Sequence, residues 1–176
     1  MEESDIAWDA MAEVGAAIHS AALGGEKGPG DGEHAVVPVV FTADIAGEGA
    51  TEHYQYGFVF DSDADPANDY SSTFYPADFF AGTDRWYVLA HDPASGWALT
   101  AQDVVGGSPE EIPSAAQVMA LENSLTLLVP TSELGDPAAV SYRVTAFRHD
   151  GTWLDGPWNG DVVPTVAEGL RPLLSE

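Results

Sequence analysis

The chain has 176 residues, 45% of them hydrophobic, enough for one domain with a real core and incompatible with a disordered tail. Against 29 Asp and Glu stand 5 Lys and Arg, a formal net charge of −24. Nucleic acid and anionic membranes demand a positive surface, so neither is an expected partner, and cations are the natural counterpart.

The absence of Cys excludes disulfides, thiolate metal sites and cysteine nucleophiles. No apolar run approaches the roughly 20 residues of a membrane helix, so no membrane insertion is expected. Glu2, Glu3 and Asp5 after Met1 are the reverse of the basic start of a signal peptide. Lys27 is the only lysine and the acids are scattered, the pattern of a folded protein acidic over its whole surface. Such a surface repels itself and salt would screen the repulsion. Two origins fit equally, a halophilic one and an ordinary acidic extracellular domain.

Ile6, Trp8, Met11, Val14, Ile18 and Leu23 fall near one helical stripe, with Ser4 as cap, Asp5 and Asp9 near the positive end and Gly24-Gly25 as stop. A short N-terminal helix docked through Trp8 is therefore expected. Residues 24–33 (GGEKGPGDGE) read as a flexible connector. The chain then divides into residues 1–33, helix and connector, and residues 34–176, a β-sandwich domain.

From Val36 the period changes to two. Strands are expected at 36–44, 52–61, 84–91, 96–102, 116–121, 124–130 and 140–148. Asp92-Pro93 and Glu122-Asn123 sit where tight turns belong, and Asp150-Gly151 follows the last strong strand. Ser108-Pro109-Glu110-Glu111 reads as a cap, Pro and acids opening one helical turn that Pro113 stops. The expected fold is all-β, an antiparallel sandwich of about eight strands with mostly antiparallel links.

Where strand 52–61 ends, carboxylates alternate in Asp61-x-Asp63-x-Asp65-Pro-x-Asn68-Asp69. Alternation at the mouth of a loop can turn several oxygens onto one hard cation, and Ca²⁺ takes six to eight. The motif is not an EF-hand, because Pro66 stands where Gly is needed and Ser72 where a bidentate Glu is needed. Two readings stand here: calcium held by Asp61, Asp63, Asp65 and Asp69, with Asp84 a weaker candidate, and a solvated acidic turn.

Downstream follow Tyr75-Pro76-x-Asp78-Phe79-Phe80-x-Gly82-Thr83-Asp84, a strand with Trp86, and Gly96-Trp97. Later come Leu125-Thr126-Leu127-Leu128-Val129-Pro130-Thr131-Ser132-Glu133-Leu134-Gly135 and Asp161-Val162-Val163-Pro164. In this order, over roughly residues 36 to 164, the segments resemble the DOMON-like sandwiches of family-9 carbohydrate-binding modules and the calcium-containing C-terminal module of glucodextranase. The resemblance implies a noncatalytic ligand-binding module of a larger extracellular or cell-surface protein, with calcium holding loops. The acidic loop departs from the glucodextranase pattern, having Asp-Pro-Ala-Asn-Asp in place of glycines, and the N-terminal stretch lies outside the resemblance.

Sugar binding needs flat aromatic faces flanked by hydrogen-bonding groups. Trp86 and Trp97 lie in expected strands and read as core. Trp153 and Trp158 occupy a polar, glycine-rich stretch, where packing and ligand contact are equally good readings; Asp155, Asn159 and Asp161 beside them can accept hydroxyl protons. The absence of nearby cations favours a neutral glycan or other small polar ligand. No GxSxG, HExxH, P-loop or dinucleotide-binding motif occurs, and His19, His34, His53, His91 and His149 show no ligand spacing, so no enzymatic activity is expected. The alternatives are a calcium-stiffened adhesion or spacer domain without glycan binding and, on the DOMON resemblance, a haem-binding electron-transfer domain.

Overall fold

Each of the seven runs of two-residue alternation forms a strand. The computed structural model describes residues 6–8, 18–21, 24–27, 33–41, 53–63, 70, 82–105, 107–121, 123–134, 140–149, 158–163 and 171–172. In chain order the strands are β1 (Ile6–Trp8), β2 (Ile18–Ala21), β3 (Gly24–Lys27), β4 (Glu33–Phe41), β5 (His53–Asp61), β6 (Arg85–Asp92) and β7 (Gly96–Val105). Then follow β8 (Ser108–Ile112), β9 (Gln117–Leu121), β10 (Ser124–Pro130), β11 (Ser141–His149), β12 (Trp158–Val163) and β13 (Arg171–Pro172). The described residues therefore make an all-β protein of two sheets.

The larger sheet has the order β1-β12-β11-β5-β6-β7-β8, with β13 paired to β11; the smaller has the order β2-β4-β10-β9, with β3 paired to β4. Among the described pairings only β1 with β12 is parallel. The smaller sheet keeps a two-residue rhythm along β10, where Leu125, Leu127 and Val129 are buried and their neighbours only half-buried. These three side chains join Tyr56, Phe58 and Phe60 of β5, Tyr87 of β6 and Tyr142, Val144 and Ala146 of β11 in one apolar cluster, closed by Leu134 and Val140. Both sheets thus feed the same core.

Local chemistry sets the tight connections. Between β6 and β7, Asp92 Oδ1 accepts the amides of Ala94 and Ser95 at 2.8 and 2.9 Å and the Ser95 hydroxyl at 3.1 Å. The two amide bonds lead in holding the Asp92 carboxyl below its ordinary range. Gly96 closes that turn at φ 80° with open space around it, so glycine serves the backbone there and not the packing. Glu122-Asn123 links β9 to β10 in two residues, as the sequence predicts, with Leu121 opposite Ser124.

A polar tie joins the sheets. Glu133, in the 3-10 turn Thr131–Glu133 that follows β10, accepts the Tyr87 hydroxyl at 2.9 Å, the Ser114 hydroxyl at 2.7 Å and the Ala115 amide at 2.8 Å. Burial raises the Glu133 carboxyl, but the Ala115, Ser114 and Tyr87 bonds and the Arg85 charge outweigh it and hold the group below its usual range. Tyr87 moves the other way, its phenol pushed well up by burial and by the carboxylate it donates to.

Three sequence expectations change. The helical turn at Ser108–Glu111 is instead the strand β8, running antiparallel to β7 with Val105 opposite Ser108. The deciding feature is the short connection from Val105 to Ser108, in which Gly107 takes φ 81°; Pro109 is tolerated because β8 borders the sheet among the described residues. Within the supposed connector, Gly24–Lys27 pairs along β4 as β3. Of the stretch expected as an N-terminal helix, the two described segments, Ile6–Trp8 and Ile18–Ala21, are strands of different sheets, and its other residues lie outside the described residues.

Candidate functional site

The acidic loop opens where β5 runs out of pairing partners. Asp84, one residue before β6, is pinned by its backbone: its amide donates to the Phe60 carbonyl at 2.9 Å and its carbonyl accepts from the Val104 amide at 2.8 Å. Its side chain then reaches back across the corner. Oδ2 accepts the Ser62 amide at 2.7 Å, the Ser62 hydroxyl at 2.9 Å and the Asp63 amide at 3.2 Å. Gly82, at φ 79°, brings the chain into this corner.

Asp61, Asp63 and Asp84 each offer a carboxylate oxygen, and the three lie within 4.8 Å of one another. Oxygens on a shared Ca²⁺ sit at about 2.3–2.6 Å from the ion and hence up to about 5 Å apart, so the spacing suits a hard cation. Asp61 and Asp63 are half-buried and exposed, which leaves the group open to solvent. The corner also has a cation-free explanation, since all three bonds to Asp84 end on Oδ2 and close the turn by themselves. Of the four sequence candidates, Asp61 and Asp63 are brought together; Asp65 and Asp69 lie outside the described residues; Asp84, the weaker candidate, is the group that organises the corner.

At the opposite end of β5 an aromatic row crosses the face turned to the core. Tyr54 stands opposite His91 of β6, and His91 opposite Trp97 of β7. The Trp97 ring lies 5.9 Å from Tyr56 and 6.4 Å from Tyr54, at interplanar angles of 17° and 29°, and His91 tilts against Trp97 at 4.9 Å. Tyr56 and His91 are buried, whereas Tyr54 and Trp97 are half-buried. Trp86 meets its expectation as a core residue, on the reverse face of the sheet with Tyr70 at 6.3 Å. Trp97 does so only in part, because the cluster thins toward this end.

Trp153 and Asp155 lie outside the described residues. Trp158 and Asn159, expected in a loop, open β12 instead, Trp158 opposite Ile6 and Asn159 between Ala7 of β1 and Arg148 of β11. Arg148 is in turn opposite Tyr54. One cross-strand row therefore reads Asn159, Arg148, Tyr54, His91, Trp97, joining a sequence-predicted residue to a tryptophan the sequence assigned to the core. It also sets a cation beside Asn159, where the sequence offered none. A partner 11 residues away on the next strand is invisible until the register of β11 and β12 is known.

Among the described residues no helix is long and apolar enough to cross a membrane. Comparison of the chain with family models, with curated proteins and with solved structures returns no match.

Proposed function

We propose that the chain is a noncatalytic carbohydrate-binding module of an extracellular or surface protein, built as a DOMON-like β-sandwich and stiffened by calcium at the Asp61, Asp63 and Asp84 corner. The observation that carries this reading is the row Asn159, Arg148, Tyr54, His91, Trp97, in which the half-buried Tyr54 and Trp97 rings, 29° apart, lie at the end of the core in register with polar residues. Stacking on the C–H face of a pyranose uses the rings, and the flanking polar residues serve its hydroxyls. Trp153, Trp158, Asp155 and Asn159 remain the ligand-contact candidates that the sequence offers. A neutral glycan is the ligand, because the net charge of −24 opposes an acidic one even with Arg148 in the row. Calcium would hold the corner by adding charge balance to three converging carboxylates, with Asp65 and Asp69 as further oxygen donors.

Affinity-gel and glycan-array screening in high salt tests the reading. Retarded migration on a neutral polysaccharide, lost in Trp97→Ala and in the Trp153→Ala, Trp158→Ala double variant, is the expected result. Binding to no neutral glycan would pass the assignment to a calcium-stiffened adhesion or spacer domain, for which the hydrogen-bonded Asp84 corner is also suited. In either case calcium should raise the melting temperature through mass action. A melt indifferent to both chelator and Asp63→Ala would make the corner a self-contained acidic turn.

A further inference from the structure

Among the described residues the smaller sheet ends at β9, which pairs with β10 alone. In an antiparallel ladder alternate residues turn their N–H and C=O groups away from the partner strand, so the outer margin of β9 is a row of backbone donors and acceptors. Natural edges blunt such a row with charge, proline or a bulge. β9 has none of these. Residues 112–121 (IPSAAQVMAL) contain no charged side chain, β9 itself contains no Pro, and its register with β10 runs from Gln117 to Leu121 without a break. Gln117, Met119 and Ala120 are exposed, Met119 at 55%, whereas Val118 packs against the core. The entry to the strand is fixed: Glu133 accepts the Ser114 hydroxyl at 2.7 Å and the Ala115 amide at 2.8 Å, and the Ser114 oxygen accepts the Ala116 amide at 3.0 Å. A strand held in this way loses little freedom when another pairs with it.

We propose that β9 is a docking edge for a second copy of this chain, the two β9 strands pairing antiparallel about a two-fold axis at Met119. That register sets Met119 opposite its own counterpart, Val118 opposite the counterpart of Ala120, and Gln117 opposite that of Leu121. The same patch serves both copies, so the assembly closes at two. Charge selects the place and the occupant. Each copy carries a net charge of −24, so approach over the acidic surface is repelled, and a stretch without charge is where two copies meet least repulsion. No like charges stand directly opposite in the paired strands. The same lack of charge gives a basic peptide no counter-charge within the strand, which leaves a matching uncharged edge as the fitting partner. Pairing joins the two smaller sheets into one and brings the exposed Met119 side chains together. The proposal does not depend on glycan binding.

Sedimentation equilibrium of the full chain, run as a concentration series at about 0.1 and about 1 M NaCl, tests this. The expected result is a monomer–dimer equilibrium whose dissociation constant falls at least about tenfold between the two salts, as the Debye length shrinks from about 10 to about 3 Å. Met119→Lys sets two like charges face to face at the axis and should abolish the dimer. Val105→Lys makes the same change of charge at the other large exposed apolar residue among those described, 54% exposed at the end of β7, and should leave the dimer intact. Either lysine lowers the net negative charge by one, so general relief of repulsion would favour association in both, and loss in Met119→Lys alone marks the edge. Amide hydrogen exchange gives a reading that needs no variant: protection of the Gln117–Leu121 amides should rise with protein concentration. A chain that stays monomeric in molar salt, or a dimer that survives Met119→Lys, would overturn the proposal. So would protection of these amides that is the same at every concentration, the sign of an edge already covered by its own chain.

Discussion

On the core side of the large sheet, β5 presents Tyr56, Phe58 and Phe60, flanked by Tyr87 of β6 and Val144 and Ala146 of β11, all of them apolar or aromatic and almost fully buried. The residues interleaved with them on the reverse face are Gly57 and Val59, flanked by Trp86 and Val88 and by Arg143, Thr145 and Phe147, and these are equally buried. One face is an apolar and aromatic layer whose Tyr56 and Tyr87 carry hydroxyls, the other a mixture in which a guanidinium and a threonine hydroxyl share space with an indole. Burial drives the Arg143 guanidinium below its usual range, the mark of a charge held away from water. The contrast teaches that period-two alternation reports a sheet with one wet face, and that a central strand buried on both sides blurs it.

The largest effect should come from the apolar and aromatic layer. Phe58→Ala is expected to lower unfolding free energy by about 3–5 kcal/mol, since the cluster around it draws on both sheets and cannot collapse into the space. Chemical denaturation would measure it, and a loss below about 1 kcal/mol would mean that the two sheets do not share this core. The reverse face is probed by Gly57→Ala. An added Cβ would overlap Thr145 Oγ1 and stand 2.8 Å from Trp86 Nε1, so a cost of about 1–3 kcal/mol is expected. A neutral result would show that face to be open, and the comparison would fail.

The smallest effect concerns the polar tie at the margin of the core. Glu133→Gln keeps the shape but loses the charge that three donors share, a cost of about 1 kcal/mol near neutral pH. Because the folded carboxyl is held below its ordinary value, its contribution is present above the unfolded pKa and disappears as pH falls through the folded one. The stability difference between wild type and variant should therefore shrink on acidification. Paired denaturation curves from about pH 6 down to about pH 3 would show it, with the many other acids cancelling in the difference.

Seven strands are readable in the sequence because each has one face of β-branched or aromatic residues bounded by turn formers. β8 is not, since Pro and two Glu mimic a helix start; Gly106-Gly107 between Val105 and Ser108 was the available hairpin signal. The acidic corner is half legible. Asp61 and Asp63 alternate within one short segment, but Asp84 acts from 21 residues beyond Asp63, through a backbone position set by β5 and β7. The Asn159–Arg148 pairing has no sequence signal, because it exists only through register.

Among the described residues β8 is a border strand, which bears on how the protein behaves in a crowd. Ser108, Glu110 and Glu111 are exposed there, and Pro109 lacks the amide that another strand would need. A second chain approaching this margin meets repulsion and an interrupted ladder, so growth of the sheet into fibrils is discouraged on that side. That protection comes from backbone and local charge together, and it should persist in salt that masks the overall charge, because proline has no amide to unmask.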